Sequence, residues 1–133
     1  MNEIHDHGRK RLLAIDDNAD SAALIARIAE KCGFETKFVS DIGSLREILQ
    51  HWKPEVITLD LCMPDVDGFA VITLLKEIGF GGKLIIASGQ NAWLRQGAWY
   101  FARSSGIEVT PHLQKPINIQ TLRDVLNSLQ VAV

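Results

Sequence analysis

Short apolar runs alternate along the chain with longer segments whose apolar residues recur every three or four positions. The first pattern suits a strand covered on both faces and the second an amphipathic helix, so the alternation predicts an α/β fold on a parallel sheet. Leu12–Ile15 reads as the first strand. Asn18 or Asp20 then caps a helix that turns Ala23, Leu24, Ile28 and Ala29 inward and stops at Gly33. Glu35–Ser40 is the second strand; Asp41 caps a helix with Ile42, Leu45, Ile48 and Leu49 at helical spacing, Pro54 ends it, and Glu55–Leu59 is the third strand. Residues 61–68, with a proline, two carboxylates and a glycine, form a loop. Phe69, Ile72, Leu75 and Ile78 then share one helical face, Gly79, Gly81 and Gly82 break the helix, and Lys83–Ala87 is the fourth strand. A helix over about Asn91–Ser104, a fifth strand over Val109–Gln114 and a last helix capped by Asn118, with Ile119, Leu122, Leu126 and Leu129 inward, complete five βα units.

Such an order of units suits an open, doubly wound sheet, whose ligands bind outside the carboxyl ends of the strands. Residues with chemistry therefore belong just after strands one, three, four and five, and Asp16-Asp17, Asp60, Ser88 and Lys115-Pro116 stand there. Singly, each has a plainer role: helix capping for the acidic pair, turns at Asp60 and Ser88-Gly89, a helix start at Pro116. Together they differ, because three carboxylates at one sheet edge repel. At ~4 Å and an effective dielectric near 20 each pair costs about 4 kcal/mol, which demands a counter-charge. Mg²⁺ binds oxygen ligands octahedrally and keeps room for a phosphoryl oxygen, and Lys115 adds a movable positive charge. Asp60 then reads as a carboxylate nucleophile, with the Ser88 hydroxyl and Lys115 meeting the transferred oxygens, a site built for phosphoryl transfer.

Composition narrows the picture further. At 133 residues, 47% hydrophobic and 23% charged, the chain is one globular domain by default. Its net charge of −2 gives no general electrostatic case for nucleic acid or an anionic membrane. No apolar stretch approaches the ~20 residues of a bilayer span, and MNEIHDHGRKR lacks an apolar signal core, so a cytoplasmic location is expected. Residues 1–10 are read as a flexible polar leader and 11–133 as the folded domain; His5 and His7 fall in the leader. Cys32 and Cys62 form no CxxC pair and are expected to be reduced, structural thiols.

With LLAIDDN, ITLDLCMPDVDG, IIASGQ and LQKPI in that order, residues 11–130 resemble the receiver domain of bacterial two-component response regulators. The resemblance implies a flavodoxin-like (βα)₅ fold with strand order 2-1-3-4-5. It also implies that Asp60 accepts phosphate from the phosphohistidine of a histidine kinase or phosphotransfer protein. Asp17, Asp60 and the Cys62 backbone carbonyl would then bind Mg²⁺, with Asp16 acting through a metal-bound water or on the metal directly. Phosphorylation would draw Ser88 toward the phosphoryl group, and the aromatic switch position, three residues before Lys115, is held here by His112 in place of the usual Tyr or Phe. Cys62 and Gln90 resemble positions that tune phosphate lifetime. The Lys115-Pro116 bond is typically cis in the family.

At 100° per residue the fourth helix places Leu94, Ala98, Phe101 and Ala102 on one side and Arg95, Trp99 and Arg103 on the other. Receivers commonly meet partners or a second protomer through helix four, strand five and helix five, so Arg95, Trp99 and Arg103 are the expected partner surface. Packing of the Trp99 ring on arginine stems is the plainer alternative. The downstream target is an unknown protein or a fused output domain; the SGQ, long-helix and LQKPI tract looks similar to receivers fused to cyclic-di-GMP phosphodiesterase domains. A small-molecule aspartyl-phosphate hydrolase is disfavoured because Cys62 replaces the second Asp of a DxD pair. An FMN carrier is disfavoured because an acidic pair follows strand one where a phosphate loop would lie. A degenerate receiver serving only as a scaffold is the remaining alternative.

Overall fold

The computed structural model describes residues 9–61, 67–89, 92–110 and 113–131. The strands are β1 (Arg11–Ile15), β2 (Glu35–Val39), β3 (Val56–Asp60), β4 (Lys83–Ser88), β5 (Glu108–Val109) and β6 (Leu113–Gln114). Between and after them lie the helices α1 (Ala19–Lys31), α2 (Leu45–His51), α3 (Gly68–Glu77), α4 (Ala92–Ser104) and α5 (Ile119–Val131). All strand pairings are parallel, in the order β2-β1-β3-β4-β5. The fifth strand expected over Val109–Gln114 comes in two pieces. Both β5 and β6 pair with β4, Leu84 with Val109 and Ala87 with Leu113, so they fill one edge position of a five-stranded, flavodoxin-like sheet.

Period-two alternation divides the core into two layers. Leu13, Ile15, Ile57, Leu59, Leu84 and Ile86 face α2, α3 and α4, where Leu45, Leu49, Ile72, Leu75, Ala98 and Ala102 meet them. Leu12, Ala14, Val56, Ile85 and Ala87 face the other way, against Ile25, Ile28 and Ala29 of α1 and Leu122, Leu126 and Leu129 of α5. Each buried Leu or Ile contributes about 1.5–3 kcal/mol, which is what holds helices on both faces.

Local signals set the ends of the helices. The Asn18 side chain accepts from Ser21 N at 2.8 Å, which selects Asn18 over Asp20 as the cap of α1. Asn18-like capping recurs at α5, where Asn118 accepts from Thr121 N at 2.9 Å. Asp41 accepts from Ser44 N, one residue ahead of α2, so the second helix is shorter than expected and Ile42 is exposed. Gly33 takes φ +97 as it ends the turn after α1, a conformation that favours glycine.

The inward arcs differ from the expected ones at their edges. On α1 the buried residues are Ala22, Ile25, Ala26, Ile28 and Ala29, leaving Leu24 exposed and Ala23 half-buried. Ile119 on α5 and Phe101 on α4 are also exposed. On α1 and α4 small alanines take the contact line and the larger side chains stand at its rim, and Ile119 is the first residue of α5, ahead of the buried Leu122, Leu126 and Leu129. Arg9 and Lys10, assigned to the leader, donate to the carbonyls of Phe34 at 2.7 Å and Leu129 at 2.6 Å. The remainder of the leader lies outside the described residues. Among the described residues, no helix is long and apolar enough to cross a membrane.

Candidate functional site

The register of the sheet assembles the site. Ile15 pairs with Leu59 and Asp60 with Ala87, so the residues following β1 and ending β3 and β4 share one edge. Ser88 pairs with Gln114, which brings the next residue, Lys115, to the same edge. Asp16, Asp17 and Asp60 each present a carboxylate oxygen, and these oxygens lie within 4.8 Å of one another. Asp16 and Asp60 are buried, whereas Asp17 is exposed at the mouth.

Lys115 crosses this acidic edge. Its Nζ donates to Asp16 Oδ2 at 2.8 Å and to the Ser21 hydroxyl at 3.3 Å, and it lies 3.4 Å from Asp60 Oδ2. Burial pushes the Asp16 carboxyl up, but the bond from Lys115, the Asn18 backbone N–H at 3.0 Å and the Ser21 hydroxyl outweigh burial and hold it below its ordinary range. For Lys115, burial works to lower the pKa, while Asp16 as hydrogen-bond partner and the charges of Asp60 and Asp16 raise it above its usual value. Both groups are therefore charged at neutral pH. The Lys115-Pro116 bond is cis, as the resemblance implies.

Ser88 is fully buried, and its carbonyl accepts from Lys115 N at 3.0 Å and from Arg95 Nη1 at 3.3 Å. Arg95 is therefore not on the partner-facing surface expected of it. It is 8% exposed, because its place on α4 between Leu94 and Ala98 turns it toward the end of β4. Trp99 is half-buried: its Nε1 donates to the Thr110 carbonyl at 3.1 Å and Arg103 stacks on its ring at 4.9 Å. This is the arginine-stem packing named above as the alternative. Ser21 escaped sequence reading. It lies on the first turn of α1, and only the position of the cap at Asn18 shows that it faces the site. Cys62, Gln90 and His112 lie outside the described residues.

The donor set is all oxygen, and three carboxylates with one ammonium leave a net charge of −2. That is the charge a divalent, oxygen-seeking cation neutralises, so these residues could hold a metal ion.

The profile of the response regulator receiver domain family matches residues 12–127 of this chain. Among curated proteins, the chain is similar to the chemotaxis protein CheY of Thermotoga maritima, 32% identical over 88 residues that span 62% of this chain and 72% of that protein. It is also similar to the photosynthetic apparatus regulatory protein RegA of Rhodobacter capsulatus, 26% identical over 120 residues, or 90% of this chain and 61% of the relative's length. Among solved structures, a response regulator from Colwellia psychrerythraea is 30% identical with a TM-score of 0.80, covering 91% of this chain and 96% of that one. The receiver domain of a response regulator from Bermanella marisrubri is 27% identical with a TM-score of 0.75, covering 91% and 98%. The chain belongs to the response regulator receiver domain family. Receiver domains are phosphoacceptor signalling modules of two-component signal transduction that interact with histidine kinases. Neither of the two named relatives is described as a cyclic-di-GMP phosphodiesterase.

Proposed function

We propose that Asp60 is the phosphoacceptor, charged by the phosphohistidine of a histidine kinase or phosphotransfer protein, and that residues 11–133 act as one such domain. A carboxylate oxygen of Asp60 attacks phosphorus as the P–N bond breaks, the imidazole nitrogen takes the electron pair, and an acyl phosphate remains. The observation that carries this reading is the Lys115 ammonium poised between Asp16 and Asp60. From there it reaches a phosphoryl group on Asp60 by a small side-chain movement and offsets its charge.

Mg²⁺ fits the all-oxygen donor set of Asp16, Asp17 and Asp60, with the Cys62 carbonyl as the further ligand that the resemblance implies. When bound it supplies charge neutralisation at the transferred oxygens. Asp16 holds Lys115 in place from one side, and Ser21 from another. Ser88 ends β4 beside them and supplies a hydroxyl to a phosphoryl oxygen after a local adjustment; its carbonyl is fixed by Lys115 N and Arg95. His112 as the aromatic switch, and Cys62 and Gln90 as lifetime-tuning positions, belong to the same reading, as do a cytoplasmic site of action and a partner surface around Trp99 and Arg103. The output is a downstream protein or a fused domain.

Incubation with acetyl phosphate and Mg²⁺ followed by intact mass tests this directly. The wild-type chain should gain one phosphoryl group and Asp60→Asn none. No gain by the wild type would leave a scaffold that does not take phosphate.

A further inference from the structure

Among the described residues Arg95 is the one lysine or arginine that the fold buries, at 8% exposed. Removing a guanidinium from water costs more than removing a neutral side chain, so its hydrogen bonds decide whether it is tolerated. Packing does not call for it. Ala98 and Ala102 already supply the contact of α4 with the sheet, and Leu94 packs against the same core. What the arginine adds is a donor at the end of β4, where its Nη1 meets the Ser88 carbonyl at 3.3 Å.

That carbonyl lies beside the acidic pocket. Asp60 pairs with Ala87, the residue before Ser88. Lys115 N donates to the Ser88 carbonyl at 3.0 Å, so one oxygen takes bonds from α4 and from the segment that carries Lys115. Strand alternation puts Ser88 on the face of Leu84 and Ile86, toward α4, and Asp60 on the face of Val56, toward α1 and α5. The Ser88 hydroxyl therefore reaches a phosphoryl group on Asp60 over the edge of the sheet, and its reach is set by where the Ser88 backbone stands. Arg95 bonds to that backbone, so it fixes the point from which the hydroxyl swings and not the direction in which it turns.

We propose that Arg95 is a positioning residue for phosphoryl transfer, which holds the end of β4 so that the Ser88 hydroxyl meets the transferred oxygens. This role presupposes Asp60 as the phosphoacceptor. Its effect falls on the transfer step and spares the cation, because the carboxylates that fit Mg²⁺ stand at the ends of β1 and β3 and Lys115 is the charge between them. Reach matters here more than charge. A lysine at this position ends one atom short of Nη1 and has no planar fork, so it keeps the charge of Arg95 and loses the bond to the Ser88 carbonyl.

Initial rates of phosphorylation by acetyl phosphate, read by intact mass over a Mg²⁺ series, test it. Arg95→Met, whose unbranched stem fills the same slot, should lower the maximal rate about three- to tenfold, the worth of one hydrogen bond, with the half-saturating Mg²⁺ concentration unchanged. Arg95→Lys should be slowed to a similar degree. On a Ser88→Ala background, Arg95→Met should cost less than about twofold more, because the hydroxyl that it places is gone. Arg46→Met, which removes an exposed arginine from α2, should keep the wild-type rate. Circular dichroism and thermal unfolding verify that the variants fold, and Arg95→Lys carries the test if Arg95→Met does not. A wild-type rate in folded Arg95→Met or in Arg95→Lys overturns the inference. So does a fall that is undiminished on Ser88→Ala, or one that more Mg²⁺ restores, since either would mark a general loosening of the pocket. A wild type that takes no phosphate at any Mg²⁺ concentration overturns the assignment of Asp60 itself, a result distinct from all of these.

Discussion

The carboxylate pocket and the outer arc of α4 invert the usual partition in opposite senses. At the ends of β1 and β3 the chain buries charge, Asp16 and Asp60, with Lys115 between them. On α4 it exposes large rings, Trp93 and Tyr100. A buried polar group and an exposed apolar patch are the two informative departures from a folded protein's sorting rule. They carry different costs. The pocket buries charge that has to be offset, whereas the arc leaves large rings at the surface.

Lys115→Ala should show the largest effect. It leaves two buried carboxylates without their cation, at about 3 kcal/mol, the low end for a broken buried pair because Lys115 is partly exposed to solvent. Urea unfolding at neutral pH measures it. The pH dependence has a definite sign. Asp16, with its pKa lowered on folding, contributes stability above its unfolded pKa near the reference 3.8, and this is lost as pH falls through the folded value. Lys115, with its pKa raised, contributes below about its reference 10.5, and this is lost as pH rises through its higher folded value. The penalty of Lys115→Ala should therefore be level between these limits and shrink beyond either one.

Mg²⁺ should come next in size. Binding only the folded chain, it stabilises by about 2.7 kcal/mol at one hundred times its dissociation constant, seen as a raised melting temperature that EDTA reverses. Asp17→Asn sharpens the contrast within the pocket. Asp17 is exposed, so its loss should spare metal-free stability yet weaken the protection by Mg²⁺. On α4 the effects are smaller. Gly97→Ala should stabilise the monomer by about 0.8–1.0 kcal/mol, because the new methyl meets Phe69 without a clash. Trp93→Ala should alter monomer stability by less than about 0.5 kcal/mol in the same urea experiment, since most of the ring is already in water. A large loss there would mean that the ring belongs to the core, and the contrast between the two regions would collapse.

The two regions were also unequally legible in the sequence. Asp16, Asp17, Asp60, Ser88 and Lys115 could be placed together because strand ends are marked by turn chemistry, and parallel register then brings those ends to one edge. Ser21 could not, because its contact depends on where α1 begins, which two candidate caps left open. On the helices, periodicity gave the arcs but not their rotation. The expected inward arc of α4 included Phe101 and excluded Arg95, whereas Ala98 and Ala102 take the contact line and Arg95 is drawn inward to the Ser88 carbonyl. A buried arginine whose partner is a backbone carbonyl leaves no trace in a hydrophobic pattern. The split of the fifth strand did leave a signal that the apolar pattern passes over, since Pro111 within Val109–Gln114 cannot donate to a sheet ladder.

Phosphorylation with acetyl phosphate, followed by peptide mapping across a Mg²⁺ titration, tests the central claim most directly. The label should appear on the peptide containing Asp60, rise with Mg²⁺ and vanish with EDTA. Label on another residue, or incorporation indifferent to the metal, would contradict the assignment of this carboxylate pocket as the phosphoacceptor site.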